Sequence, residues 1–170
     1  MRTITWDAER AAVKLIDQTR LPAEYRLIAC ARVDELIVAI QQLQVRGAPA
    51  LGAAGAYGVA LACLHARSEA DLEHQLERLR TARPTAINLS YGVARAARAA
   101  ERGTTMAERA RLALEEANRL ADEDVAANKQ LGAYGSALLE DGDVVLTHCN
   151  AGRLACVGWG TALGVIRTAV

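Results

Sequence analysis

The sequence has 170 residues, 52% of them apolar, and its 20 acidic side chains balance its 20 basic ones. This length suits one well-packed core or a small domain with part of another, and the neutral balance excludes an overall field that would attract nucleic acid or an anionic membrane. Four cysteines without a Cys-x-x-Cys pair, together with only three histidines, argue against a structural zinc site. The amino terminus lacks the apolar core of a signal peptide, so we expect a cytoplasmic protein with free thiols.

Three short β-like runs occupy the first thirty residues, at positions 3–6, 12–17 and 25–30. A polar turn separates the first two and Pro22 precedes the third, which favours a small antiparallel sheet. After these runs the apolar side chains recur at helical spacing. Asp34 and Glu35 fall in the first turn of that helix, where the helix dipole favours acids.

A helix–loop–helix junction follows at residues 45–52. Gly47 can adopt a positive φ, and Pro49 suits the first turn of a second helix that extends to about residue 65. The second helix is uncharged, but its alanine and glycine content favours a buried helix over a membrane span. Arg46, beside N–H groups at a helix start, could hold an anion. A surface arginine near a tight helix crossing explains the same pattern equally well.

Three further helices are predicted, over residues 68–79, 84–102 and 105–139. Ser68 is the expected cap of the first, and Thr104 or Thr105 caps the last. Glycines at 132 and 135 are expected to bend or interrupt the last helix near its end.

Arg83 repeats the situation of Arg46, because each arginine lies close to a proline that is expected to start a helix. Two such junctions could converge on one phosphate. Asn88 and Tyr91 lie three residues apart on the following helix and could face the same place, or could make ordinary interhelical contacts.

Residues 143–152 (DVVLTHCNAG) are typical of a buried strand that runs into a loop. Ligands of open α/β sheets bind at the carboxyl ends of strands, which makes Cys149 a candidate catalytic residue with Asn150 and Gly152 beside it. His148 would point to the opposite face of a regular strand. The alternative is a packing role, since free cysteines are among the most buried residues.

The composition changes near residue 140, which we take as a domain boundary. Residues 1–140 would form the sheet and a mainly helical amino-terminal domain. Residues 141–170 would supply the first strand and, over 153–167, the first helix of a truncated Rossmann-like parallel-sheet domain, giving an α/β protein overall. One strand and one helix cannot complete a parallel sheet, so we expect a fragment, or a protomer completed by another chain.

Four motifs occur in order: VRGAPALG at 45–52, RPTAINL at 83–89, LTHCNAG at 146–152 and GTALGVIR at 160–167. With LIDQTRLP at 15–22, they closely resemble the methylthioribose-1-phosphate isomerase family. That family also includes ribose-1,5-bisphosphate isomerases and regulatory subunits of a translation-initiation exchange factor. The resemblance spans essentially the whole chain.

The resemblance implies an aldose–ketose isomerase of methionine salvage that converts a 5-substituted ribose 1-phosphate to the ribulose 1-phosphate. It implies no cofactor, a sugar-phosphate ligand and a homodimer of the full-length protein. The alternatives within the family are a ribose-1,5-bisphosphate isomerase and a non-catalytic regulatory or assembly module. The chain alone would be inactive, because the family's catalytic aspartate lies in a downstream domain.

Carried over by position, Arg46, Gly47 and Ala48 match the family's substrate-binding Arg-Gly-Ala, and Arg83 matches its second substrate arginine. Cys149 matches the cysteine that assists the transition state. Asn88, Asn150 and Gly152 remain possible pocket residues, and no metal ligand is implied.

Three positions depart from the family pattern. Ser90-Tyr91-Gly92 replaces bulky aromatic residues, Arg153 places a charge where uncharged residues are common, and Cys156 adds a second thiol near Cys149. These departures leave the 5-substituent of the sugar open between methylthio, a plain deoxy carbon and a larger group.

Overall fold

The structure is a computed structural model and describes residues 2–170. A three-stranded antiparallel sheet opens the chain, in the order β1-β2-β3. The strands are β1 (Ile4–Asp7), β2 (Ala12–Ile16) and β3 (Leu27–Cys30). Ile4 lies opposite Leu15, and Val13 lies opposite Cys30, so apolar side chains pair across the sheet and bury one face. The predicted small antiparallel sheet is confirmed.

Six α-helices and one 3-10 turn account for the regular structure of the remaining described residues. They are α1 (Val33–Gln41), α2 (Ala48–His65), α3 (Glu69–Arg80), α4 (Ile87–Ala100), α5 (Met106–Ser136), the 3-10 turn Arg153–Ala155 and α6 (Ala162–Ala169). The caps follow from local chemistry. Ser68 Oγ accepts a hydrogen bond from the Asp71 N–H at 3.1 Å, and Thr105 with Glu108 forms a reciprocal capping box.

Helix α2 is the centre of the fold and packs against α4 and α5. It is long and apolar enough to cross a membrane by length and composition, yet 78% of it is buried inside the protein. The prediction of a buried helix is therefore confirmed. The apolar side of the sheet and helix α1 contribute to the same core, through Ile4, Leu15, Leu36 and Ile40.

Glycines bring α2 and α4 into backbone contact. A Cβ on Gly92 would lie 1.9 Å from the Gly52 carbonyl oxygen, and one on Gly55 would lie 2.5 Å from the Leu89 carbonyl oxygen. No side chain fits at either position without a shift of one helix. The small residues of α2 therefore serve a close crossing, as their spacing indicated.

Residues 143–148 do not form the predicted strand. The side chains of Val144 and Leu146 are 99% and 96% exposed, and these residues have no strand assignment. A strand persists only when a neighbouring strand satisfies its backbone groups, and the sheet formed by β1 to β3 lies elsewhere in the chain. Without such a neighbour among residues 2–170, the aliphatic run stays extended towards solvent.

The predicted helix over residues 153–167 is also wrong in its first half. Gly152 and Gly160 form an isolated antiparallel bridge that closes a loop around the 3-10 turn, and α6 begins only at Ala162. Trp159 and Gly160 have φ values of +68° and +101°, which a helix does not accommodate.

Two smaller expectations differ from the structure. Helix α5 continues through Gly132 and Gly135, and α6 packs there: a Cβ on Gly135 would lie 2.6 Å from Val165 Cγ2. These glycines make room for a neighbouring helix and do not interrupt their own. Helix α4 starts at Ile87, because the residues after Pro84 first form a turn in which the Ala86 N–H donates to the Arg83 carbonyl at 2.9 Å.

The two tryptophans lie in different surroundings. Trp6 stacks on Tyr57 at a centroid distance of 6.3 Å, above the core. Trp159 lies at the contact between α5 and α6, with the cations of Lys129 and Arg167 at 5.7 and 5.6 Å from its ring centroid. Both cations favour the electron-rich ring faces, which helps to hold α6 on α5.

Candidate active site

The junction between α1 and α2 presents Arg46, Gly47 and Ala48 at one helix start. Gly47 directly precedes the first residue of α2 and has a φ of +106°. Residues other than glycine rarely adopt this backbone conformation. Pro49 follows in the first turn, where its missing N–H costs nothing. No side chain of the described residues caps this helix start, so its N–H groups can face a ligand.

Arg46 and Arg83 line the same open groove, which has a volume of about 550 Å³. The groove also includes Gly47, Ala48 and Asn88. None of its described lining residues is acidic, so two guanidinium groups and a helix start set its electrostatic potential. Such a groove suits a small anion with a polar body.

The crossing of α2 and α4 explains why two sequence-distant arginines meet. A Cβ on Gly52, in the second turn of α2, would lie 3.3 Å from the Asn88 carbonyl oxygen in the first turn of α4. The start of α4 therefore lies on the start of α2, and the turn before each start carries one arginine. Tyr91, one turn beyond Asn88, instead lines a separate groove with Arg95.

The loop after Cys149 lies against this helix junction. A Cβ on Gly47 would come within 2.3 Å of the Ala155 Cα and carbonyl oxygen, so the 3-10 turn contacts the backbone before α2. Gly152 is buried in the closed loop, where a Cβ would meet Leu163 at 3.0 Å. Gly152 therefore lies in a segment beside the candidate pocket and does not line it.

The side chains of Cys149 and Asn150 are exposed and are not among the residues that line the groove. Cys149 has a φ of +71°, an uncommon conformation for a residue with a side chain. Its carbonyl accepts from the Ala151 N–H at 3.1 Å, which closes a tight turn into the loop. His148 is also exposed. The structure therefore brings the arginines and Asn88 together and does not place Cys149 among the residues that line the groove.

The other three thiols are packing groups. Cys30, Cys63 and Cys156 are buried, and burial raises the pKa of each to about 11. A protonated, buried thiol is a poor nucleophile. Cys149 is the exposed cysteine of the four. Across residues 2–170, no three His, Cys, Asp or Glu side chains are grouped so that they could hold a metal ion.

Gln18 is a site-adjacent residue that no spacing rule identified. It is 3% exposed, and its side-chain amide donates to the Leu154 carbonyl at 2.8 Å. The same amide oxygen accepts from Arg46 Nε at 3.4 Å. The available signal was a polar pair, Asp17-Gln18, directly after the apolar strand β2.

Asp17 fixes the backbone beside that amide. Burial acts to raise the pKa of Asp17, but hydrogen bonds from Thr19 and Gln44 outweigh burial and hold the pKa below its ordinary value. The Gln44 amide donates to Asp17 Oδ2 at 3.0 Å. An ionised Asp17 therefore ties the end of β2 to the segment that precedes Arg46.

Comparison with known proteins finds one family. The model of the Initiation factor 2 subunit family matches residues 44–170. The chain is 55% identical to a protein named putative methylthioribose-1-phosphate isomerase from Archaeoglobus fulgidus, over all of this chain and 51% of that protein. It is 47% identical to the methylthioribose-1-phosphate isomerase of Anaeromyxobacter sp., over all of this chain and 49% of that one.

Two crystal structures share the fold. A structure described as translation initiation factor eIF-2B subunit delta from A. fulgidus has a TM-score of 0.90 and 52% identity, with 99% of this chain and 51% of that chain covered. The 5-methylthioribose 1-phosphate isomerase of Pyrococcus horikoshii has a TM-score of 0.88 and 38% identity, with 98% and 48% covered. The chain spans about half the length of the curated relatives it matches.

Proposed function

This chain belongs to the initiation factor 2 subunit family, and we propose that it is the amino-terminal portion of an aldose–ketose isomerase acting on 5-methylthioribose 1-phosphate. The observation that carries the proposal is the groove in which Arg46 and Arg83 converge without an acidic neighbour among the described lining residues. Relatives that bear the isomerase name align with the whole chain.

The groove would bind the sugar phosphate as a dianion. Arg46 and Arg83 would hold the phosphate oxygens through charge-assisted hydrogen bonds. The backbone of Gly47 and Ala48 would add N–H groups from the start of α2, where the helix dipole favours negative charge. Asn88 would contribute an amide to a sugar hydroxyl. Fixing the phosphate in this way orients the sugar ring for the reaction, and positioning alone can lower a barrier by several kcal/mol, about 7 in well-aligned cases.

The reaction itself is an internal redox change. The phosphate on C1 prevents spontaneous formation of the aldehyde, so a proton must reach the ring oxygen as the ring opens. C2 then loses its hydrogen and its hydroxyl proton and becomes the carbonyl of the ketose, and C1 gains a hydrogen. The proton released from the C2 hydroxyl balances the one taken up by the ring oxygen. The hydrogen moves either as a proton through an enediol or directly as a hydride. Cys149 would stabilise the charge that develops at C1 and C2.

Cys149 needs the remaining half of the protein to reach this position. We place the domain boundary near residue 140, and residues 141–170 would begin a Rossmann-like domain. Additional parallel strands would pair with residues 143–148 and bury the side chains of Val144 and Leu146. The same domain would supply the catalytic aspartate, cover the groove and exclude water. We also propose that the full-length protein is a homodimer located in the cytoplasm.

Turnover of methylthioribose 1-phosphate by the full-length protein is the test. Cys149→Ala should lower kcat by about 10²-fold or more, as expected for a group that stabilises charge in the transition state. Arg46→Ala and Arg83→Ala should mainly raise KM. Arg98 is an exposed arginine that lines the separate groove with Tyr91. Arg98→Ala is therefore the matched control and should leave kcat and KM unchanged.

Unimpaired turnover in Cys149→Ala would remove that residue from the mechanism. A parent protein without activity on this sugar would overturn the substrate assignment. Ribose 1,5-bisphosphate, tested in parallel, decides between the two isomerase activities. The 170-residue chain alone should show little or no turnover.

A second candidate function is a non-catalytic regulatory or assembly module. The crystal structure described as an eIF-2B delta subunit favours it, with a TM-score of 0.90. An inactive full-length protein whose second half has no aspartate at the catalytic position would support this module. An active one excludes it.

A further inference from the structure

We propose that Gln18 is a positioning residue that presents the guanidinium of Arg46 to the substrate phosphate and couples it to the loop after Cys149. This inference rests on the function proposed above, because it names what prepares that site. Gln18 itself would not touch the substrate, since the residue is only 3% exposed.

One buried amide joins three chain segments. Its Nε2 donates to the Leu154 carbonyl at 2.8 Å and, over a longer 3.5 Å, to the Arg46 carbonyl. Its Oε1 accepts from Arg46 Nε at 3.4 Å. The end of β2, the junction before α2 and the 3-10 turn after Cys149 therefore meet at Gln18.

The amide group suits this place because it combines a donor and an acceptor. A carboxylate would retain an acceptor for Arg46 but would face the Leu154 carbonyl oxygen without a proton to share. An apolar side chain of equal length would remove the hydrogen-bond donor of the partly buried Leu154 carbonyl, which is costly.

The contact also selects how Arg46 is presented. A guanidinium has five N–H groups in a planar fork, one on Nε and four on the two terminal nitrogens. Gln18 takes the Nε–H, so the four terminal N–H groups remain for an anion. Arg46 would then bind phosphate end-on, through both terminal nitrogens, and would not turn its Nε side to the ligand.

Hydrogen bonds on either side of Gln18 fix the segment that carries it. Its backbone N–H donates to the Gln44 carbonyl at 2.9 Å, and the Gln44 side chain returns to Asp17. Asp17 also accepts from the Thr19 hydroxyl at 2.6 Å. The segment that carries Gln18 is therefore tied to Gln44, two residues before Arg46, and the Gln18 amide contacts Arg46 directly.

Steady-state kinetics of the full-length protein with methylthioribose 1-phosphate test the coupling. Gln18→Met should lower kcat/KM about tenfold, mainly through KM, because the arginine loses its fixed orientation. In the Arg46→Ala background the same change should cost about twofold or less, since contacting residues are not additive. Equal losses in the two backgrounds would overturn the proposal.

Asn128→Leu is the matched control. Asn128 is also a buried amide, but its partners are Asp124 and Gly158. This variant should lower thermal stability as much as Gln18→Met does and leave KM unchanged. A parallel rise of KM in both variants would show a merely structural effect and would contradict the positioning role.

A spectroscopic measurement separates failure of this inference from failure of the proposed function. In full-length protein labelled with 15N at arginine Nε, the Arg46 signal, assigned by its loss in Arg46→Lys, should exchange slowly with water. Gln18→Met should accelerate exchange about tenfold, whereas Gln18→Glu, which keeps the acceptor, should not. Unchanged exchange in Gln18→Met overturns the positioning role even where the enzyme is active. Accelerated exchange in a protein without isomerase activity supports the contact and rejects only the proposed reaction.

Discussion

Helix α2 and residues 143–148 are both rich in aliphatic side chains, yet one is the most buried part of the protein and the other is among the most exposed. Tyr57 and Leu61 in α2 are 0% exposed, whereas Val144 is 99% exposed. Helix α2 satisfies its own backbone and finds α4 and α5 beside it. Residues 143–148 need neighbouring strands to satisfy their backbone groups, and residues 2–170 do not provide them. An aliphatic pattern thus indicates what a segment requires, and its burial depends on whether a partner is present.

Overpacking of the α2–α4 crossing should produce the largest effect. Gly92→Ala should lower the free energy of unfolding by about 3 kcal/mol, because the new Cβ would meet the Gly52 carbonyl oxygen. Urea denaturation of the 170-residue chain measures it. At exposed Ala94 on the same helix, Ala94→Gly should cost about 1 kcal/mol, from helix propensity alone. A stability gain in Gly92→Ala would show that the two backbones are not in contact.

The two ion pairs of Glu116, one to Arg95 on α4 and one within α5, should have an intermediate effect. Glu116 is 5% exposed and accepts hydrogen bonds from Arg95 and Arg119. Burial acts to raise the pKa of Glu116, but the two arginines outweigh burial and hold the pKa below its ordinary value. Glu116→Gln should cost about 2 kcal/mol, less than a fully buried pair would, because Arg119 is 63% exposed.

The sign of the pH dependence follows from the lowered pKa. The folded protein binds the Glu116 proton less readily than the unfolded chain, so the pairs stabilise the fold above about pH 4.3, the ordinary glutamate pKa. That contribution is lost as the pH falls through the lower folded value. Denaturation at pH 7 and pH 3 should therefore show a smaller difference for Glu116→Gln than for the parent. Glu115→Gln, in an exposed pair with Arg111, should change stability by no more than about 0.5 kcal/mol.

Substitutions in the exposed run should have the smallest effect on this chain. Val144→Ser with Leu146→Ser should change the stability of the 170-residue chain by about 0.5 kcal/mol or less, because both side chains face solvent. In the full-length protein the same double substitution should lower the free energy of unfolding by about 2 kcal/mol or more, because strands would cover both side chains. Equal, small effects in both proteins would contradict the proposed parallel-sheet neighbour.

Local chemistry made most of the fold predictable. The Ser68 cap depends on a residue three positions away, and the sheet follows from period-two runs with tight turns between them. The loop at residues 152–160 was not predictable in this way. It depends on a bridge between two glycines and on the Ala155 contact with Gly47, more than a hundred residues apart. The composition of residues 153–167 favours a helix, and the sequence does not reveal the distant contacts that prevent one.

The candidate site was predictable in part, for a similar reason. Arg46 and Arg83 each precede a helix, a local feature, and the glycines of α2 indicated a close neighbour that turned out to be α4. The place of Cys149 could not be derived from its neighbours in sequence, because in the proposed full-length protein it would depend on strands that flank residues 143–148. The role of Gln18 was not predicted, because a single amide residue after a strand belongs to no recognisable sequence pattern.

The arrangement around Trp159 gives this protein an optical reporter. The chain has two tryptophans, and Trp6 belongs to the core through Tyr57. In a Trp6→Phe variant, the indole emission would come from Trp159 alone, which contacts Lys129 of α5 and Arg167 of α6. Its intensity and wavelength would then follow the docking of α6 separately from the melting of the core. The fluorescence of one residue can thus report whether α6 is docked on α5.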